Sequence, residues 1–289
     1  MKGSRLRAAL TPYVLILPGG LWLAIFFVVP MIVMLSLSLH SGNITDGFVF
    51  TWNWRSYLDG IANYHDQMIR SIGYGLAATI ITIVVGFPVA YWIAFHGGRR
   101  KNMYLLLLLM PFLVSFVLRT ISWQFFLADD GILLGPLKRI GLLPDDFHIL
   151  ATGTAVVLGL AYNFLPFMVL PIYVALERID PRLLEAAADL YAGRLQTFLR
   201  VVLPLSLPGV FAGVLMTFVP ACSDYVNASI LGGASNTMIG NVIQNQYLVA
   251  QDYPVAAALS FTLMAVLLLG IFLYARALGS EEVLEVTVR

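Results

Sequence analysis

Two runs, LLLLLMPFLVSFVL from position 105 and LMAVLLLGIFLY from position 263, restrict this chain more than any other feature. Neither alternates apolar with polar residues, as the strands of a membrane barrel would over about 10 positions. Each is long enough to form part of a helix crossing the roughly 30 Å hydrocarbon layer, which needs about 20 apolar residues. Six such stretches are present, at 12–39, 68–95, 103–127, 149–176, 204–231 and 253–278. A chain with 60% hydrophobic and 11% charged residues and a mean hydropathy of +0.85 has no soluble domain to offer between them. The expected fold is all-α, a single polytopic membrane domain of six transmembrane helices. The basic start MKGSRLR precedes an apolar run too long for a secretory signal and without a small-residue cleavage site, so it reads as a retained first helix.

Charge then sets orientation. Lys2, Arg5, Arg7, Arg99, Arg100, Lys101, Arg178, Arg182, Arg194, Arg200 and Arg276 all fall on one side of six crossings, while Asp46, Asp59, Asp66, Asp129, Asp130, Asp145, Asp146 and Asp252 fall on the other. Positive loops stay in the cytoplasm, so both termini are expected there. A net charge of +1 without a basic cluster excludes nucleic acid as a ligand class and leaves the bilayer as the partner implied by composition. Cys222 is the only cysteine and has no disulfide or metal-ligand companion. His40, His65, His96 and His148 lie in loops without metal-ligand spacing, and no phosphate-cradling glycine loop or Ser/His/Asp set is present. The chain is therefore expected to hold no cofactor and to catalyse no hydrolysis itself.

The longest connection on the basic side, ERIDPRLLEAAADLYAGRLQTFLRVVLP, covers 177–203 and the proline that follows. Asp180 can cap a helix whose first turn holds Pro181, and Leu183, Leu184, Ala187 and Leu190 recur at helical spacing. Gly193 is expected to end this helix. Leu195, Phe198 and Leu199 give a second short apolar stripe before Pro204 and Pro208 mark entry to the fifth span. Two short helices with a break make a projecting knob, in which Ala186 and Ala187 let a partner approach and Glu185 and Asp189 meet its basic or amide groups. A helix lying in the membrane surface fits the same spacing.

Within the spans, Asp224 is the only acid and Arg119 the only arginine in the body of one, and isolated charges there are costly enough to be functional candidates. Counted along straight helices, both lie roughly 24–30 Å from the basic-side ends. The structural alternatives are an Arg119 that snorkels outward, an Asp224 that caps a broken helix, or the two paired. In FVPACSDYVNASILGG, Pro220 can open the helix, and Ser223, Tyr225, Asn227 and Ser229 can line a passage or simply bind neighbouring helices. Trp123 and Tyr162 can stack on a cation or anchor at an interface, and Asn163 and Pro166 share helix four with Tyr162.

EAA at 185–187, Asp189, a following glycine and Leu203-Pro204 resemble the cytoplasmic signature of permease subunits of bacterial ABC importers. YNFLPFMVLPIYVALERIDPRLLEAAADL, with LRTISW before it and DYVNASILGG after it, is similar to the spermidine/putrescine permease subfamily over most of the chain. The resemblance implies a type I importer permease fold and a bacterial cytoplasmic membrane location. It also implies a coupling helix that docks Glu185, Ala186 and Ala187 into a separate ATPase pair carrying ATP and magnesium. A second permease subunit, expected to be a different chain, and an extracytoplasmic binding protein complete the set. The family usually has glycine where this chain has Tyr191, two residues before Gly193. Import of another small solute, or ion-coupled secondary transport, are the alternative functions.

Overall fold

The computed structural model describes residues 15–277. Lys2, Arg5, Arg7, the first residues of the 12–39 stretch and position 278 lie outside them. Within them the apolar runs are helices, because a helix satisfies its own backbone donors and acceptors where lipid offers none. In chain order these are α1 (Leu15–Ser38), α2 (Arg55–His96), α3 (Lys101–Leu109), α4 (Phe116–Leu127), α5 (Leu134–Arg139), α6 (Gly153–Glu177), α7 (Pro181–Asp189), α8 (Arg194–Ser223), α9 (Val226–Leu231), α10 (Ile239–Leu248) and α11 (Tyr253–Ala277). Among the described residues, five helices have the length and apolarity to cross a membrane, or six if the bent segment 98–127 is counted as one span.

Three differences from the sequence reading bear on the site. The segment 40–67, expected as a connection, holds an antiparallel hairpin, β1 (His40–Asn43) and β2 (Gly47–Phe50), and the first turns of α2. The 103–127 stretch is not straight. Pro111 sits in a tight turn at Met110–Leu113, Val114 and Ser115 become extended, and α4 leaves at 90°. Depth measured along a straight helix therefore does not apply to Arg119. The 204–231 stretch breaks, but at Asp224 and not at Pro220, which stays inside α8. The Ser223 hydroxyl lies 3.3 Å from the Val219 carbonyl and 3.2 Å from that of Pro220, partnering carbonyls in the last turn.

The chain divides by contact into two units, residues 15–63 with 243–264, and 64–242 with 265–277 among those described. In the first, the apolar window of α1 is not buried by any of the described residues of this chain. The second holds both buried apolar clusters. One surrounds Val156, Leu160, Leu231 and Met238, and the other Met168, Ile172, Leu176 and Val202. Small residues set their spacing: at Gly159 a Cβ would lie 2.7 Å from Asn227 Oδ1, so only glycine lets α9 come this close to α6. At the charged end, Lys101 and Glu177 form an ion pair that ties the start of α3 to the end of α6.

Candidate functional site: a charged knob and a buried polar joint

The first candidate region is the knob. Asp180 is extended and its carboxylate accepts the Arg182 amide at 2.9 Å, while Pro181 occupies the first turn of α7 and needs no donor there. One face of α7 turns toward the chain itself: Leu184 is half-buried and Ala187 only 8% exposed. Glu185, Ala186 and Asp189 face outward. The sequence-level grouping of Ala186 with Ala187 as a contact pair is thus divided by the helix. Ala186 is open to a partner, and Ala187 packs within the knob.

Gly193 does not end α7. The helix stops at Asp189, and two residues later Tyr191 adopts a left-handed φ of 57° and its amide donates to the Ala188 carbonyl at 2.9 Å. The Ala192 amide reaches the Ala187 carbonyl at 3.0 Å, which completes the reversal. Gly193, at φ −67°, instead begins α8, its amide bonded to Gln196 Oε1 at 3.2 Å. Nor is α8 a short second helix, since it continues through a wide turn at Phe198–Val202 into the span, with Pro204 just after that turn. A side chain in the left-handed region costs about 1 kcal/mol relative to glycine. Tyr191→Gly is accordingly expected to raise amide-exchange protection at Leu190–Ala192 about fivefold. Unchanged protection would show that the turn stores no strain.

The second region lies at the break between α8 and α9. Asp224 is 9% exposed and extended, and its Oδ1 accepts the Asn227 amide at 2.7 Å, capping α9. Asn227, Asn163 and Thr120 are buried together. Asn163 Nδ2 donates to Thr120 Oγ1 at 3.1 Å and to Asn227 Oδ1 at 3.0 Å, and the Thr120 hydroxyl lies 3.3 Å from Asn227 Oδ1. Among the described residues, Asn163 Oδ1 and Asn227 Nδ2 have no hydrogen-bond partner. An acceptor and a donor buried this way each cost about 1–3 kcal/mol unless something meets them. Thr120 was not singled out from sequence. Its only signal there was a hydroxyl beside Arg119 in an apolar segment.

Arg119 forms no ion pair with Asp224. Its guanidinium lies 4.1 Å from the Phe112 ring centroid and 5.7 Å from that of Phe116, with Nε and Nη1 unpartnered among the described residues. Phe112 stacks on Tyr162 at 6.4 Å and Tyr162 meets Trp123 edge-on at 5.3 Å. Arg119, Trp123 and Tyr162 thus share an aromatic group, and Thr120 joins α4 to the Asn163–Asn227–Asp224 cluster. Tyr225 is 44% exposed and its carbonyl accepts from Asn241 Nδ2 at 2.9 Å, while the same nitrogen lies 2.6 Å from Ser229 Oγ. Among the described residues no group of three His, Cys, Asp or Glu side chains is placed to hold a metal.

Comparisons with known proteins bear on this geometry. Residues 86–277, which include the knob and the polar joint, match the family described as binding-protein-dependent transport system inner membrane component. The chain is 36% identical over 259 residues to the spermidine/putrescine transport system permease protein PotB of Escherichia coli K12, covering 89% of this chain and 94% of that protein. It is 33% identical to the inner membrane ABC transporter permease protein YdcU of the same organism, over 77% of this chain and 74% of the relative. A chain of a bacterial ABC transporter that imports the acidic polysaccharide alginate superposes with a TM-score of 0.68 at 21% identity, covering 94% of this chain and 97% of that one. A chain of the MetNI methionine ABC transporter gives 0.54 at 16% identity, over 76% and 94%. At such identities the structural likeness establishes the fold, that of ABC importer permeases. The near full-length similarity to permeases adds what fold alone does not: this chain belongs to the family of binding-protein-dependent transport system inner membrane components.

Proposed function

We propose that the chain is the transmembrane permease subunit of an ATP-driven importer for polyamines of the spermidine and putrescine class. The observation that carries the substrate class is the end-to-end similarity to PotB. The polar joint is chemically suited to it: the Asp224 carboxylate supplies negative charge, and the unpartnered Asn163 Oδ1 can accept from a passing ammonium. Broken helices whose polar groups converge at membrane depth are a general means of passing hydrated solutes.

In this reading Glu185, Ala186 and Asp189 dock a separate ATPase pair, which carries ATP and magnesium. Tyr191 and Gly193 shape the turn that presents them, and Ala187 supports them from within. A second, different permease completes the passage, and an extracytoplasmic binding protein delivers the solute. The membrane is the bacterial inner membrane, with the basic loops and both termini on the cytoplasmic side.

Arg119 favours a second reading, import of another small solute, because its unmet donors suit a carboxylate or carbonyl better than a cation. Substrate competition separates the two. Unlabelled spermidine or putrescine in excess is expected to suppress labelled polyamine uptake, while anionic and neutral solutes leave it intact. The reverse pattern would transfer the assignment to the second reading. Affinity purification through this chain is expected to recover an ATPase and another permease. Recovery of this chain alone, with ATP-independent uptake, would favour an ion-coupled transporter.

A further inference from the structure

Asp224 stands where no regular helix holds it. α8 ends at Ser223, Asp224 is extended with ψ 129°, and α9, which begins at Val226, has only six residues. Nucleating a helical turn is unfavourable, so a helix this short takes its stability from packing and not from its own hydrogen bonds. The carboxylate leans on that short helix, because Asp224 Oδ1 accepts the Asn227 amide at 2.7 Å. Whatever fixes α9 therefore fixes the charge.

At its far end α9 is tied by the Ala151 amide, which donates to the Leu231 carbonyl at 2.9 Å. Ala228 and Leu231 are buried in the apolar cluster, but apolar contacts are non-directional and leave a helix some freedom to rotate. Hydrogen bonds are directional, and those nearest Asp224 converge on the Asn227 side chain. Asn163 Nδ2 has two hydrogens and uses both, one on Asn227 Oδ1 at 3.0 Å and one on Thr120 Oγ1 at 3.1 Å. The Thr120 hydroxyl lies 3.3 Å from Asn227 Oδ1 and 3.1 Å from the Phe116 carbonyl one turn back in α4. Asn227 is thus bracketed by α6 and α4, with all three side chains buried.

We infer that Thr120 is a positioning residue for Asp224: acting through Asn163 and Asn227, it sets the rotation of α9 and with it the place of the carboxylate. The inference rests on the reading of Asp224 as the charge that meets a polyamine. Coulomb attraction falls with distance, so a carboxylate free to swing with a loose α9 would meet a passing ammonium less closely. A site holds its geometry when the groups behind it are themselves bonded and packed, which describes the buried Thr120–Asn163–Asn227 chain. The bend of the 98–127 segment gains a purpose from this. α4 leaves at 90° and brings Thr120, 107 residues away in sequence, against Asn227 as a strut.

The test uses the assembled complex and two readouts. Thr120→Val keeps the shape and removes the hydroxyl, and is expected to lower uptake from saturating, solute-loaded binding protein about fivefold, the worth of one buried hydrogen bond. Thr120→Ser, which restores the hydroxyl, should stay within about twofold of the unaltered complex. In an Asp224→Asn background Thr120→Val should cause no further loss, because a residue that works through the carboxylate has nothing left to position. Equal fractional losses in both backgrounds would overturn the inference. The second readout needs no transport: in protein labelled with 13C-aspartate, the Asp224 carboxyl signal, identified by its loss in Asp224→Asn, is expected to shift in Thr120→Val and to return in Thr120→Ser. Thr217→Val is the control, since Thr217 is a buried hydroxyl of α8 without a partner among the described residues, and it should leave the signal in place. A signal unmoved by Thr120→Val, or moved as much by Thr217→Val, would overturn the positioning role. Full uptake by Asp224→Asn together with a Thr120-dependent signal would instead refute the polyamine-charge reading while leaving the strut in place.

Discussion

Asp224→Asn is expected to reduce polyamine uptake about tenfold or more while leaving the protein folded, assembled and able to hydrolyse ATP at its basal rate. The separation is possible because the two roles of Asp224 use different properties of the side chain. Its structural role is the cap on α9, through a 2.7 Å bond from the Asn227 amide to Oδ1. Asparagine caps a helix about as well as aspartate, so that bond survives the substitution. The charge does not survive it, and a hydrogen bond to a charged group contributes about 1.5–3 kcal/mol, or about 10- to 100-fold in a binding step. Asp224→Ala is the companion variant. It removes the cap as well, and is expected to lower thermal stability by about 1 kcal/mol where Asp224→Asn does not. Full uptake by correctly assembled Asp224→Asn would refute the proposed charge role. The geometry already removes one rival explanation, because Arg119 forms no ion pair with Asp224 that the substitution could break.

The second large effect is expected at Ala186. Ala186→Trp adds bulk to the outward face of α7, where Ala186 is exposed. Insertion and folding should be unchanged. Stimulation of ATP hydrolysis by the loaded binding protein, and uptake with it, should fall about tenfold or more if the face docks an ATPase. Ala187→Trp would be a poor probe of docking: at 8% exposure the larger ring would be forced against the knob's own residues, and overpacking costs about 1–3 kcal/mol. A fully coupled Ala186→Trp complex would place the docking surface elsewhere. Preferential binding of the isolated variant to anionic vesicles, with coupling intact, would favour a helix lying on the membrane.

Much of this arrangement is legible from local sequence patterns. Apolar length announces the helices, and Asp180-Pro181 announces the start of α7 because capping chemistry depends on adjacent residues alone. The chain bends and breaks where longer-range terms enter. Pro111 and Pro220 look alike as helix breakers, yet the chain turns by 90° after the first and stays helical through the second. Tyr191 misled for a related reason. Gly193 is the residue with no side-chain penalty for a left-handed turn, but the reversal falls at Tyr191, where the amides of Tyr191 and Ala192 find carbonyls within α7. The polar joint was half visible. Asn163, Asn227 and Asp224 stood out as polar residues in apolar segments, whereas Thr120, 43 residues from Asn163 and 107 from Asn227, joins them only through tertiary packing. The hairpin left no clear trace, because its strands are four residues long and pair only with each other.

The most direct test of the account is uptake by a reconstituted complex. Proteoliposomes containing this chain with its co-purified permease and ATPase, and supplied with the binding protein, are expected to accumulate labelled spermidine or putrescine only when ATP and magnesium are enclosed with the ATPase. Replacing ATP with a non-hydrolysable analogue should abolish accumulation. Polyamine accumulation without ATP, or ATP-driven accumulation of a different solute that polyamines do not compete away, would contradict the account.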